Sequence, residues 1–380
     1  MSRKKILILF PLEHIAFSPT TLGVYDALSV NADVTIYAPT PKSFGSNDLK
    51  ERKVEHFDLD TSKQAKIKAL PLFLLHKFLH FFNLSVIGGL SIYDFVRFVG
   101  YKKALNQHRY NYDEVIAVDM MLLYLSERYF KKASFLSLEL TNDEIPLLKK
   151  VKDDFIRTVI IQSKQRYTYL FGEKEHRVFY VQNAPVYMPI ESVVKKNNAL
   201  LFNGTATPWF GMYHCLKFIS NYPQFSLTFK GAVLKDEKEY VLSNYASQIA
   251  NGTIILNEDY MESRDMLRFL SQYEIGFCFY DLSFPKMNTY NYQTAPSGKM
   301  FAYLAAGVPV IANKLDGLKV IEDFEAGILV NDFEPETIYN AVNTIKNNYE
   351  FYKSNCCKAA EHYSFDKNVV PVVRFFLNQE

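Results

Sequence analysis

Cysteine is scarce in this chain, with four in 380 residues. Cys215, Cys278, Cys356 and Cys357 show neither metal-ligand spacing nor a disulfide framework, and the vicinal pair is not expected to bridge. A reducing compartment fits that usage. Long apolar runs are missing too: none reaches the roughly 18 residues that a spanning helix needs. The short apolar stretch after Met1-Ser-Arg-Lys-Lys gives way to Glu13-His14 and reads as a first strand, not a signal peptide. Neither sign of charge dominates. With 43 Lys and Arg against 41 Asp and Glu the net charge is +2, so bulk nucleic-acid binding has no support and any positive patch is local. No G-x-G-x-x-G follows the first strand, which counts against a dinucleotide dehydrogenase. No metal cluster is visible, and no metal or cofactor is expected.

What is present is apolar and extensive. A hydrophobic content of 48% over 380 residues supports a sizeable core, excludes disorder and argues for two domains. Lys5 to Phe10 is a continuous apolar run, the pattern of a strand buried on both faces of a parallel sheet. A helix through about Val30 follows, then strands at Asp33–Ala38, Val54–Phe57, Asp113–Val118 and Ser134–Leu140. Such alternation predicts a doubly wound α/β sheet, whose ligand lies beyond the carboxyl ends of the strands. That rule picks out His14, Asp119 and Glu139. His14 reads either as a general base or acceptor-binding group, or as a histidine satisfied at a loop edge. Glu139 sits in an apolar stretch, so it is either functional or paired with a structural arginine. Asp119 reads also as a helix cap, and Asp143 and Glu144 as solvated loop residues.

Residues 63 to 105 stand apart. Seven cations (Lys63, Lys66, Lys68, Lys77, Arg97, Lys102 and Lys103) are interleaved with large apolar residues, and only Asp94 is acidic. The pattern suits helices lying on an anionic membrane surface. It suits equally two core helices with snorkelling lysines.

Phe155 to Leu170 is expected to be helical and Arg177 to Val181 a strand, before linker-like composition places a domain boundary near residue 190. The alternation then restarts. Strands are expected at Ala199–Asn203, Phe225–Lys230, Thr253–Leu256, Glu274–Tyr280, Val308–Ala312 and Gly327–Val330, with helices between them. Gln293 to Asn313 carries the strongest local signal. Pro296 and Ser297 mark a helix start, Gly298 permits close approach, and Lys299 adds charge where free N–H groups already favour an anion. Gly307 is placed as the left-handed stop.

The run Ser297-Gly-Lys-Met-Phe-Ala-Tyr-Leu-Ala-Ala-Gly-Val-Pro-Val-Ile resembles the donor-site helix of GT-B glycosyltransferases, particularly the large retaining family that builds bacterial surface polysaccharides. Gly204 after the first strand of the second half, and Lys230-Gly231 after the next, extend the resemblance over that half. It implies two Rossmann-like domains: an acceptor domain at 1–190, a donor domain at 191–362, and a C-terminal helix at 363–380 packing back across both. It implies that Gly204 and Thr205 approach the donor diphosphate, that Lys230 lies near the nucleotide, and that Tyr260 falls where the base is read. Tyr280 would precede the sugar loop, and Ser297, Gly298 and Lys299 would hold phosphate. Two glutamates of the family fall here at Thr294 and Ala302, and Trp209-Phe210 occupy its basic place after Gly204, with Lys299 and Lys286 as substitutes.

The expected activity is transfer of a sugar from a nucleotide sugar to a glycan or lipid-linked saccharide in surface polysaccharide synthesis. The expected place is the cytoplasm or the inner face of the cell membrane. Retention and inversion both stay open, and inversion would use Glu139 or His14 as base. A sugar-nucleotide epimerase of the same build, or a non-catalytic binding partner, are the alternatives.

Overall fold

The computed structural model describes residues 3–41, 49, 51–107, 111–189, 193–261, 263–285, 287 and 289–379. The expected boundary near residue 190 and Lys286 lie outside that set. The chain forms two compact units. One comprises Met1–Gln182 with Asn368–Glu380, the other Asn183–Lys367.

The first unit holds β1 (Lys5–Leu9), α1 (Pro19–Ser29), β2 (Asp33–Pro39), β3 (Val54–Phe57), α2 (Lys63–Phe81) and α3 (Ile92–Gln107). It continues with β4 (Glu114–Val118), α4 (Asp119–Ser126), β5 (Ala133–Leu136), α5 (Ile145–Leu148), β6 (Ile156–Ile161), α6 (Lys164–Phe171) and β7 (Val178–Tyr180). Its seven strands run in the order β3-β2-β1-β4-β5-β6-β7, all parallel. Ile6 to Leu9 are all buried, as a strand covered on both faces requires.

The second unit holds β8 (Ala199–Asn203), α7 (Met212–Asn221), β9 (Ser226–Lys230), α8 (Lys235–Asn244), α9 (Ala246–Ala250), β10 (Ile254–Asn257), α10 (Ser263–Leu270) and β11 (Ile275–Cys278). Then come α11 (Tyr290–Thr294), α12 (Gly298–Ala305), β12 (Val310–Asn313), α13 (Val320–Asp323), β13 (Gly327–Val330), α14 (Pro335–Asn347), α15 (Tyr349–His362) and α16 (Phe365–Asn368), whose last residue falls in the first unit. The strand order β10-β9-β8-β11-β12-β13 is again wholly parallel. Along β8, Leu200 and Phe202 enter one core with Leu216 and Phe229, while Leu201 enters the opposite core with Phe301 and Leu304. Period-two alternation therefore feeds two layers of helices from one strand. Finally α17 (Val370–Phe376) returns to the first unit, where the Lys4 amine donates to the Phe376 carbonyl at 2.7 Å.

Three expectations change. Phe155–Leu170 is not one helix: Ile156–Ile161 pairs as β6, and the helix starts later, at Ser163, whose Oγ accepts from the Arg166 N–H at 3.3 Å. The run Ile-Arg-Thr-Val-Ile-Ile is β-branched at five of its six positions, which favours a pleated strand. The strand read at Ser134–Leu140 ends at Leu136, leaving Glu139 in an exposed loop. Glu144 is buried, not solvated.

Candidate functional site

In each sheet the strand order reverses direction between two neighbours, and beyond the carboxyl ends of such strands is where doubly wound sheets take their ligands. In the second unit those strands are β8 and β11. These two pair directly, and Tyr303, on α12, meets the carboxyl end of the pair. Its hydroxyl accepts from the Asn203 N–H at 2.6 Å, with the Leu201 and Phe277 carbonyls at 3.1 and 3.3 Å. Gly276 makes room, because a Cβ there would lie 2.6 Å from the Tyr303 ring. Burial raises the Tyr303 hydroxyl well above the usual tyrosine range, so it stays a neutral donor.

Around these strand ends the backbone is stripped to glycine. Gly204, directly after β8, has φ +108°, and Gly231, directly after β9, has φ +130°. A Cβ on Gly231 would come within 2.6 Å of the Gly204 carbonyl oxygen. A Cβ on Gly204 would meet the Lys299 Cδ at 3.0 Å, so the lysine stem lies directly against the bare backbone. The Lys299 amine then ends among three rings, 4.1 Å from the centroid of Phe210, 5.0 Å from Tyr280 and 5.4 Å from Phe202. Among the described residues it makes no ion pair. Burial lowers its pKa from the ordinary lysine value, and the only opposing influences come from the thiols of Cys278 and Cys215.

Ser297 stands before α12 in an extended conformation, but its side chain does not cap the helix. Its Oγ instead accepts from the Tyr280 hydroxyl at 2.8 Å and from the Cys278 thiol at 3.4 Å. The first intrahelical bond of this helix runs from the Phe301 N–H to the Ser297 carbonyl at 3.1 Å, so the N–H groups of Gly298 and Lys299 find no acceptor inside the helix, while that of Met300 is turned to the Cys278 sulfur. Gly298 is required at the helix start because a Cβ would sit 2.7 Å from Asn183 Nδ2. Tyr280 is fixed by both backbone groups: its N–H donates to Asn313 Oδ1 at 2.9 Å, and its carbonyl accepts from Asn313 Nδ2 at 3.0 Å. Gly204, Tyr280, Ser297, Gly298 and Lys299 thus come together.

The other expected residues add no side chain to this cluster, although the Lys230 carbonyl accepts from the Gly204 N–H at 2.8 Å. Lys230 is 1% exposed and its amine is spent on Asn257 Oδ1, at 2.8 Å, and on the Asp259 carbonyl. It braces the loop after β10. Tyr260, in that loop, is 67% exposed. Thr205 is exposed next to Gly204. At the positions of the family's two glutamates, Thr294 is buried with its hydroxyl donating to the Tyr290 carbonyl at 2.6 Å, and Ala302 offers no polar group. Sequence reasoning missed the His214–Asp281 pair, with Nε2 2.8 Å from Oδ2, where the imidazole also stacks on Phe333 at 4.1 Å. The Asp281 N–H donates to the Trp209 carbonyl at 2.9 Å, tying the loop after β8 to the loop after β11. Asp281 follows Tyr280 directly, the one signal that could have drawn attention to it.

In the first unit the reversal lies between β1 and β4. Asp119 follows β4 with φ +61°, a left-handed conformation that Asp tolerates better than most side chains. Its Oδ1 accepts from the N–H groups of Leu138 and Glu139 at 3.0 and 3.2 Å. Gln162 Nε2 and Arg166 Nη2 donate to the Leu138 carbonyl at 3.0 and 3.1 Å. The peptides before Glu139 are therefore held from both sides. Burial pushes the Asp119 carboxyl up to about 6, against the bonds from Leu138 and Glu139. Burial, then the charge of Asp119, pushes buried Glu144 up to about 7. Arg97 is buried beside them, donating to Asp94 Oδ1 at 2.8 Å and to the Pro11 carbonyl at 3.1 Å. His14, in the loop after β1, has its pKa lowered by desolvation and then by Arg97, which favours the neutral, proton-accepting ring at pH 7. Among the described residues no group of three His, Cys, Asp or Glu could hold a metal ion.

No family model matches the chain, and no curated protein matches it. Solved structures do. A crystal structure of Anabaena Alr3699/HepE in complex with UDP and glucose is 14% identical with a TM-score of 0.62, covering 99% of this chain and 98% of that one. An α,α-trehalose 6-phosphate synthase from Burkholderia multivorans is 12% identical with a TM-score of 0.62, covering 100% of both chains. An E. coli structure described as trehalose-6-phosphate bound with UDP-2-fluoro glucose is 10% identical with a TM-score of 0.62, covering 99% of this chain and 98% of that one. The fold is that of the GT-B glycosyltransferases, with two Rossmann-like domains, as the resemblance in sequence implied.

Proposed function

We propose that this GT-B chain is a glycosyltransferase that takes its sugar from a nucleoside diphosphate donor. One observation carries the reading: an ammonium with no ion-pair partner among the described residues, ringed by Phe202, Phe210 and Tyr280, at the start of α12 and against Gly204. Lys299 is half-buried, and a cation partly withdrawn from water without a counter-charge is costly unless an anion joins it. The amides of Gly298 and Lys299, which have no acceptor inside α12, add partial positive charge at the same place. Together they suit a diphosphate, and they stabilise the charge that develops on it as the glycosidic bond to the sugar breaks. Two of the three solved neighbours hold UDP or a UDP-sugar, so a UDP-sugar is the first donor to assay. The acceptor is a hydroxyl of a glycan or lipid-linked saccharide in surface polysaccharide synthesis. The chain works at the cytoplasmic face of the membrane. On the acceptor side His14 and Glu139 are the groups placed to take a proton, which an inverting reaction requires.

The experiment is titration of UDP into wild-type protein and Lys299→Ala by calorimetry. A loss of at least about tenfold in affinity, roughly 1.4 kcal/mol, is expected. An unchanged Kd removes the phosphate assignment. Because Lys299 supplies the counter-charge, no metal ion is needed, and turnover is expected to persist in EDTA; its collapse, with recovery on adding Mg2+, would refute that part. A second reading, a binding partner without catalysis, draws on Thr294 and Ala302. Nucleotide binding with no release of nucleoside diphosphate, across a panel of sugar nucleotides and lipid-linked acceptors, would favour it.

A further inference from the structure

The α2 helix buries none of its 19 residues. It is nevertheless fixed to the first unit. Phe73 and His76 set their rings 5.4 and 5.5 Å from Phe95 of α3, and His76 Nδ1 lies 2.7 Å from Ser85 Oγ. His80 Nδ1 lies 2.8 Å from the Ser85 carbonyl. The opposite face is therefore held in one orientation, and it is apolar. Ile67, Leu70, Leu74, Phe78 and Phe81 recur at intervals of three and four, the spacing of a single helical stripe, and Phe78 and Phe81 are 62% and 81% exposed. Leu84, just past the helix end, is 74% exposed.

Charge frames this stripe. At roughly 100° per residue, Lys66 and Lys77 fall along one border and Lys68 along the other. The amines of Lys66 and Lys77 are steered by the rings of Tyr93 and Phe73, at 5.3 and 5.5 Å. Among the described residues none of the three lysines forms an ion pair. The one acid between residues 63 and 105, Asp94, is occupied by Arg97. No helix among the described residues is long and apolar enough to cross a membrane.

We infer that this face of α2 seats the protein on an anionic lipid surface, lying in the plane of the interface. The apolar stripe enters the acyl boundary by about 5–10 Å, and the bordering lysines meet headgroup phosphates. A second copy of the chain is a poorer occupant. A self-complementary contact would bring the lysine borders against each other, with no free carboxylate in the segment to separate them. The inference deepens the membrane placement proposed above but does not depend on sugar transfer, because no donor-site residue takes part.

The test is flotation of the full chain with vesicles of phosphatidylcholine alone and of phosphatidylcholine mixed with phosphatidylglycerol. Recovery about fivefold higher from the anionic vesicles, falling as salt is raised, is expected. Leu74→Glu combined with Phe78→Glu abolishes recovery, and Lys68→Glu combined with Lys77→Glu reduces it to the neutral-vesicle level. These side chains are exposed, and unchanged circular dichroism and unfolding temperature verify that both variants fold. Equal recovery from the two vesicle types, or undiminished flotation of the Leu74→Glu/Phe78→Glu variant, would overturn the inference. So would a dimer seen by sedimentation that dissociates in that variant while no form floats, since a second copy would then own the face.

Discussion

Two carboxyl groups in the first unit, on Asp119 and Glu144, are held protonated into the range of about 6 and about 7. Both lie above the values these groups have in an unfolded chain. The folded protein therefore binds more protons than the unfolded one between about pH 4 and 7, and stability falls as pH rises through that window. For Asp119 the whole effect is on the order of 3 kcal/mol, most of it from burial. Asp119→Asn keeps an oxygen for the Leu138 and Glu139 amides and tolerates the left-handed backbone. Urea denaturation at pH 5 and pH 8 is expected to show a smaller loss of stability across this range in Asp119→Asn and in Glu144→Gln than in wild type. Identical pH slopes in all three would mean that the carboxyls do not carry this linkage. Glu144 also illustrates where reading by eye fails. Its neighbours Thr141, Asn142 and Asp143 are polar, so it looks solvated, and only the Met121 N–H, which it accepts at 3.1 Å, reveals a buried position.

Among the elements, α12 does the most to shape the donor site. Its start was legible in sequence because Pro296, Ser297 and Gly298 are local signals. Its stop was legible too, since Gly307 has φ +61°. The cage around Lys299 was not, because Phe202 and Phe210 arrive from about ninety residues earlier in the chain and nothing local marks the encounter. Tyr303 was equally hidden: in sequence it is one more residue of an apolar helix, and only its hydrogen bonds at the ends of β8 and β11 reveal its polar role. Tyr303→Phe strands the Asn203 N–H at a buried strand end, which costs about 1–3 kcal/mol. Thermal unfolding should register that loss. A variant as stable as wild type would mean that Asn203 finds another acceptor. The misread stretch Phe155–Leu170 has a different cause. It contains a strand and a helix in tandem with only Gln162 and Ser163 between them, so the two periodicities blur together.

At the scale of the molecule the sequence announced two α/β units by restarting its strand–helix alternation near Ala199. Strand–helix alternation alone could not announce that the first unit is discontinuous. Val372 and Phe376 of α17 are fully buried, and the guanidinium groups of Arg157 and Arg177 lie 4.7 and 4.9 Å from the Phe375 ring. Arg157 also pairs with Glu114 on β4. Deleting residues 368–380 is expected to lower the unfolding temperature of the first unit by several degrees while calorimetric UDP affinity, a property of the second unit, stays within about twofold. Loss of UDP binding in the truncated chain would contradict that division of labour.

The same discontinuity sets an order of events on the ribosome. The second unit has all of its strands once Val330 has been made, and its helices once residue 367 has. The first unit has its full sheet far earlier, yet it waits for residues 368–380 to cover the apolar surface that α17 occupies. The second unit is therefore complete in sequence before the first, and a chain released just short of residue 368 would hold every element of the second unit while the first stayed unsealed.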